Sequence, residues 1–335
     1  MSPTGLFERL LHLVPVLLGI SIIVFSMMAL TPGDPVQIML GESMSDPAQV
    51  AALRHDMELD LPVAARFVRF LGNALSGDFG LSYFHRRPVL EVILERMPAT
   101  VELTLVAILI VAAIGIPLGV ASAVRQNSWI DRAGTVGAML GISMPGFWFG
   151  ILLILAFGVQ FHLLPVSGRL GSDITIQAVT GFVLLDTLIA GRLDAFIDAL
   201  RHLLLPAFTL ALPMAAVLMR VVRGSMLEAL AQDYVLFAEA KGLRRSRVLG
   251  RHALKNALIP AVTVAALEIG SLLGGNMIVE TVFGWPGLGR LVVEAIFSRD
   301  YPLVQAAVLL YAVTYVALNF LADILYTALN PRVRL

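Results

Sequence analysis

Long apolar stretches separated by short polar ones set the pattern of this chain. A helix that crosses the hydrocarbon core of a bilayer needs about 20 mostly apolar residues. Six stretches fit that length: 10–31, 99–124, 134–160, 203–222, 258–281 and 304–328. Four of them contain Pro15, Pro117, Pro145, Pro206 or Pro213. Membrane helices tolerate such interruptions because neighbouring groups satisfy the freed backbone. The first stretch is too long for a leader, follows a single Arg9, and has no A-x-A site after it, so it reads as an uncleaved span.

A seventh stretch, 174–190, is short and holds Asp186 and three threonines. Charge placement argues against counting it as a span. With six spans, segments 1–9, 125–133, 223–257 and 329–335 share one side and hold 12 Lys and Arg in 60 residues. The other side holds 11 in about 130 residues, so the first side is cytoplasmic. A seventh span would move the basic segment 223–257 outside. The stretch 174–190 is therefore predicted to be an interfacial or partly re-entrant helix. Both termini are expected in the cytoplasm. The expected organisation is a tail and first span over 1–31, an external domain over 32–98, and a core over 99–335. Helical spacing is predicted over Val63–Leu75, and a Gly-rich turn at Gly77-Asp78-Phe79-Gly80.

Composition agrees with the pattern. Of 335 residues, 58% are hydrophobic and 14% charged, which excludes a disordered chain and most soluble enzymes. Lys and Arg number 24, as do Asp and Glu, so no net positive field draws the chain to nucleic acid. There is no cysteine, hence no disulfide and no thiolate chemistry. No G-x-x-x-x-G-K-[ST] loop, H-E-x-x-H or G-x-S-x-G motif occurs, and the six histidines are scattered. Neither a cofactor nor a metal site is expected.

Five ionisable residues lie within the apolar stretches, and such residues are functional candidates. Glu102 and Glu280 sit at outer ends, where a carboxylate can reach water. Arg220 and Asp323 sit near inner ends, where Arg can snorkel. Glu268 is ten residues into its stretch, about 15 Å along a helix and near the midplane. A lone carboxylate there must be protonated, paired or wetted. It fits the lining of a transport path or a protonated glutamic acid bonded to a neighbouring helix. Small residues and Asn276 follow on the same helix.

The internal segment 223–257 holds more than half of the cytoplasmic basic residues. Ser225-Met226-Leu227-Glu228 has the spacing of a capping box. A second helix is predicted from Asp233, as N-cap, to a left-handed stop at Gly242. Tyr234, Phe237, Ala238 and Lys241 fall on one predicted face, followed by Arg244, Arg245, Arg247 and Arg251. An aromatic helix with a basic collar suits two settings: anionic lipid, or a groove on a cytoplasmic partner.

The segment resembles the coupling loop of permease subunits of binding-protein-dependent ABC importers, and the chain resembles their dipeptide/oligopeptide/nickel branch. The resemblance is carried by Thr31-Pro32-Gly33-Asp34-Pro35, Gly77-Asp78-Phe79-Gly80-Leu81-Ser82, Pro98-Ala99-Thr100, Pro165-Val166-Ser167-Gly168, Ala240-Lys241-Gly242, Asn256-Ala257-Leu258-Ile259-Pro260, Glu280-Thr281-Val282-Phe283-Gly284-Trp285-Pro286-Gly287 and Asn330-Pro331-Arg332. The general Glu-Ala-Ala of the loop is replaced by Leu236, Phe237 and Ala238, a variation shared by the peptide branch. Glu268 stands where that branch usually has Gln.

The resemblance implies an all-α inner-membrane protein with six spans and a type I importer permease fold. It implies a second, homologous permease, two cytoplasmic ATP-binding subunits and an external solute-binding protein as partners. ATPase coupling would then fall to Asp233, Tyr234, Phe237, Ala238, Lys241, Gly242, Arg245 and Arg251, with Glu268 and Asn276 lining the pathway. Residues 180–186 resemble an insertion of dipeptide-type members, which tilts the substrate toward dipeptides over nickel or glutathione. The rival from another class is a proton-coupled transporter with Glu268 as the carrier.

Overall fold

The computed structural model describes residues 3–30, 36, 47–275 and 277–329. Among these residues the regular structure is helical, apart from one antiparallel bridge between Leu81 and Pro88. The helices are α1 (Pro3–Leu30), α2 (Pro47–Asp56), α3 (Val63–Leu75), α4 (Val89–Val124), α5 (Trp129–Ser143), α6 (Gly146–Leu153), α7 (Val183–Ile189) and α8 (Leu193–Leu230). They continue with α9 (Asp233–Ala240), a helical turn Arg245–Arg247 that runs through π-helical Val248–Ala253 into α10 (Leu254–Gly275), then α11 (Met277–Val282), α12 (Leu288–Phe297) and α13 (Tyr301–Leu329). Two compact units divide the chain: residues 101–285 with 315 onward, and residues 2–100 with 286–314.

Three described helices are long and apolar enough to cross a membrane: α4, α8 and residues Tyr301–Leu321 of α13. Val14–Met27 of α1 forms a shorter apolar helix, and α10 and α11 carry the fifth stretch. The third stretch, expected as one span, is instead broken. Helix α5 and the following Gly146–Gln160 meet at 106°. Pro145 explains the break: it donates no backbone hydrogen bond and drives Met144 to an extended conformation (ψ 132°). The tail of this segment, Ile154–Gln160, is π-helical.

The larger unit is built around α8. Two-thirds of its apolar window is buried, against one-third for α4, so α8 is enclosed by protein while α4 keeps an outward face. Small residues permit the close crossings. A side chain on Gly119 of α4 would meet the Met219 carbonyl and Val222 Cβ of α8 at 2.8 Å. Gly115 stands one turn away, 3.0 Å from the Ala215 carbonyl by the same measure. This small-x-x-x-small pair on an apolar helix is the kind of pattern that lets membrane helices approach.

Helix α8 runs through Pro206 and Pro213 and ends only at Leu230. The capping box expected at Ser225 therefore lies inside a helix. Met226 and Ala229 are buried there, and that burial extends the helix past the apolar stretch. The stretch 174–190 is also corrected: only Val183–Ile189 is helical. Asp186 draws the preceding chain into a turn, accepting from Thr180 N at 2.8 Å, Thr180 Oγ1 at 2.7 Å and Gly181 N at 3.0 Å.

The smaller unit contains α3 over the predicted residues and the turn with Gly77 and Gly80 at positive φ. Asp300, fully buried, ties the turn to the start of α13: it accepts from the Ser82 hydroxyl and from Phe84 N at 3.1 Å. Thr100 Oγ1 accepts from Leu288 N at 2.8 Å, anchoring α12.

Candidate coupling site

Helix α9 begins after Gln232, whose extended backbone (ψ 148°) turns the chain into the helix. Asp233 is thus the first helical residue and makes no capping bond, in contrast to the predicted N-cap. Its carboxylate still favours the positive end of the helix dipole. The C-terminus is as expected. Gly242 has φ +76°, its N–H reaches the Glu239 carbonyl at 2.9 Å, and Leu243 N reaches Ala238 at 3.3 Å. That pair of bonds is a Schellman closure, which favours glycine at the left-handed position.

The structure separates the residues of the predicted face. Val235 and Ala238, three apart, are buried against a cluster with Met226, Ala229, Val248 and Ala253. Ala238 therefore faces the body of the protein. Tyr234, Phe237 and Lys241 point outward, at i, i+3 and i+7. Phe237 is 63% exposed and Leu236 58%, so two large apolar side chains stand in the solvent beside a segment rich in arginine. Lys241 Nζ lies 4.5 Å from the Phe237 ring centroid, a cation–π distance. Asn256 Nδ2 donates to the Tyr234 hydroxyl at 3.0 Å. Arg244, Arg245, Arg247 and Arg251 are all exposed.

The segment is braced from below. Arg223 of α8 donates to Asp131 of α5, Nε to Oδ1 at 2.5 Å and Nη2 to Oδ2 at 2.9 Å. Asn127 N adds a bond to the same carboxylate at 2.9 Å. The guanidinium beside it holds the Asp131 carboxyl at a pKa of about 2.

Of the expected pathway residues, Glu268 lies on α10, and Asn276 lies outside the described residues. Glu102 and Glu280 do not reach water as expected; both are buried. Glu102 pairs with Arg169 at 2.5 Å and accepts from Leu184 N at 2.8 Å. The Arg169 guanidinium also bonds the Gly181 carbonyl at 3.0 Å and lies 5.6 Å from the Trp285 ring centroid. Sequence reasoning missed this pairing because its partners are 67 residues apart and no local pattern joins them. Arg220 is exposed, in keeping with a snorkelling position.

Comparison with known proteins agrees with this architecture. Residues 115–335 match the family described as binding-protein-dependent transport system inner membrane component. Residues 4–104 match the N-terminal model of such membrane components. The dipeptide transport system permease protein DppB of Escherichia coli K12 is 42% identical over 332 residues, covering 98% of each chain. The di/tripeptide permease DppB of Pseudomonas aeruginosa is 43% identical over 98% of this chain and 97% of its own. The glutathione permease GsiC of Salmonella paratyphi A is 38% identical with the same coverage. A chain from the inward-facing MetNI methionine ABC transporter superposes with a TM-score of 0.55 over 72% of this chain and 97% of that one, at 16% identity. Apolar helices, a shared permease fold and a short helix with exposed apolar side chains fit a multi-pass membrane transport component. The chain belongs to the family of inner membrane components of binding-protein-dependent transport systems.

Proposed function

We propose that the chain is one of two permeases of an ATP-driven importer, carrying dipeptides delivered by an external solute-binding protein. The observation that carries this reading is α9. It is short, closed by a Schellman turn, and presents Phe237 and Leu236 to solvent on a helix whose other side is packed. Exposed apolar side chains on an ordered helix mark a docking surface. A groove on an ATP-binding subunit is its proposed seat, with Tyr234, Phe237 and Lys241 as contacts. Arg245 and Arg251 flank it. Asp233, Ala238 and Gly242 act from within, by starting, seating and stopping the helix. The hydrolysis of ATP belongs to two such subunits, and a second, homologous permease completes the pathway.

Both termini are proposed to lie in the cytoplasm, with residues 32–98 forming an external domain and 99–335 the permease core. Glu268 and Asn276 are proposed to line the pathway. Dipeptides are favoured over glutathione by the higher identity to the DppB proteins. Purified complex in proteoliposomes tests the substrate: a labelled dipeptide is taken up with ATP and is not displaced by excess glutathione. Preferential uptake of glutathione or nickel would reject the dipeptide reading. Uptake by the isolated chain under a proton gradient, lost in Glu268→Gln, would reject the importer altogether.

A further inference from the structure

Helix α3 has no buried residue, yet it is ordered by contact with α1. The contact is aromatic. Phe25 of α1 is 5% exposed, with Phe67 edge-on at 5.3 Å and Phe70 stacked at 6.1 Å. Phe25 lies five residues before the end of α1 at Leu30, about 7–8 Å back along the helix. The touching point is thus inside the apolar stretch 10–31 and not beyond it. A helix that packs there sits at membrane depth. Its remaining apolar side chains agree: Val63, Val68 and Leu75 are 55%, 67% and 90% exposed. Leu81 and Phe84 in the following turn are exposed as well. The only charged residues in α3 are Arg66 and Arg69. Interfacial helices carry such basic residues and bury their apolar face about 5–10 Å into the boundary between headgroups and acyl chains.

Beside this contact is a cavity of about 140 Å³, lined among others by Phe25, Arg66, Asn73, Asp78, Tyr83 and Gln305. Its charges are not all paired. Arg69 is taken by Glu58. Arg66 pairs with no carboxylate among the described residues, and its guanidinium carbon lies 5.9 Å from the Phe25 ring centroid. Asp78 pairs with no cation among them; its Oδ1 accepts the Gly80 N–H at 2.9 Å. Among the described residues the cavity therefore offers one open cation and one open carboxylate, with the Asn73 and Gln305 amides as further donors.

We infer that α3 lies in the membrane surface at the Leu30 end of α1, and that the cavity beside it holds a zwitterionic ethanolamine phospholipid headgroup, phosphate at Arg66 and ammonium at Asp78. A glycerol headgroup leaves Asp78 facing an anion with no compensating cation. A dipeptide is also a zwitterion, but it leaves the exposed apolar face of α3 unexplained. The inference needs only the membrane setting of α1. It does not depend on the substrate or partners proposed above.

The chain has no cysteine of its own, so single cysteines in it report on α3 once the thiols of the other subunits are replaced or blocked. Val68→Cys and Leu75→Cys are introduced into the full transporter complex, spin-labelled and reconstituted into vesicles of equal phosphatidylethanolamine and phosphatidylglycerol. Both labels are expected to collide more with oxygen than with a water-soluble nickel chelate. Native mass spectrometry of the complex released from the same vesicles should show ethanolamine lipid retained. Arg66→Gln should lower that retention about tenfold, and Arg66→Lys should restore part of it. Nickel-dominated collisions at both positions would place α3 in water and overturn the seating. Equal retention of the two lipids, or no effect of Arg66→Gln, would overturn the headgroup site. Displacement of the lipid by millimolar alanyl-phenylalanine would overturn the lipid assignment in favour of a peptide.

Discussion

Arg223 grips Asp131 through two nitrogens, joining the last third of α8 to the first turn of α5. The carboxylate is 5% exposed and the guanidinium 28%, so the pair is partly sheltered. Removing Arg223 leaves a buried carboxylate without its partner, at a cost of about 2 kcal/mol. Arg223→Ala should lower the unfolding midpoint of the solubilised protein more than Arg220→Ala, since Arg220 is exposed and makes no ion pair among the described residues.

The same pair gives a pH dependence. The Asp131 pKa is lowered from 3.8 to about 2 in the folded protein. A depressed carboxylate stabilises the fold above its unfolded value and loses that contribution as pH falls toward the folded one. Thermal unfolding between pH 6 and pH 2.5 should therefore show a decline below about pH 4. That part of the decline should be absent in Asp131→Asn, whose stability should be lower at pH 6.

Glu102 and Arg169 are more deeply buried, at 5% and 15% exposure. Arg169→Met strips the carboxylate of its cation and should destabilise by about 3 kcal/mol. Arg169→Lys should recover little, because an ammonium cannot both meet the carboxylate and spread over the Trp285 face. Comparing the two unfolding midpoints with that of Arg169→Met/Glu102→Leu checks the pairing: the double variant should be the more stable of the two methionine proteins.

The α4–α8 crossing predicts an intolerance to volume. Gly119→Ala puts a methyl group 2.8 Å from the Met219 carbonyl and should cost about 1–3 kcal/mol. Gly137→Ala, with nothing within 4 Å, should be neutral or slightly stabilising as a helix substitution. Unfolding midpoints of the two variants measure the contrast.

The parts of this architecture legible in the sequence are those set by local pattern. Three apolar stretches mark α4, α8 and the apolar part of α13, the described helices long enough to cross a membrane, Val63–Leu75 is helical over the expected residues, and Gly242 takes its left-handed position. Long-range packing is what local pattern does not carry. Periodicity placed Ala238 beside Phe237, and only the pocket formed with Val248 and Ala253 turns it inward. Pro145 was visible, but whether it would be absorbed or would break the helix depends on what surrounds it. Glu102 looked wet because its partner Arg169 is distant in sequence. Helix α8 outruns its apolar stretch because buried Met226 and Ala229 hold its last turn.

Gly242 offers a graded test of α9 as the proposed coupling helix. An L side chain at φ +76° costs about 1 kcal/mol, and no neighbour lies within 4 Å, so the effect is backbone strain alone. Gly242→Ala should weaken co-purification of the ATP-binding subunits modestly. Gly242→Asn should do so less, as asparagine tolerates the left-handed region. The readout is the amount of ATPase retained per permease.

The most direct test of the central claim is ATP-driven uptake of a labelled dipeptide by the reconstituted complex carrying Phe237→Asp. A carboxylate in place of the exposed ring should cut uptake at least tenfold, about 1.4 kcal/mol or more of lost docking, while the permease itself remains folded in the membrane. Undiminished uptake with the ATP-binding subunits still bound would contradict the assignment of α9 as the coupling helix.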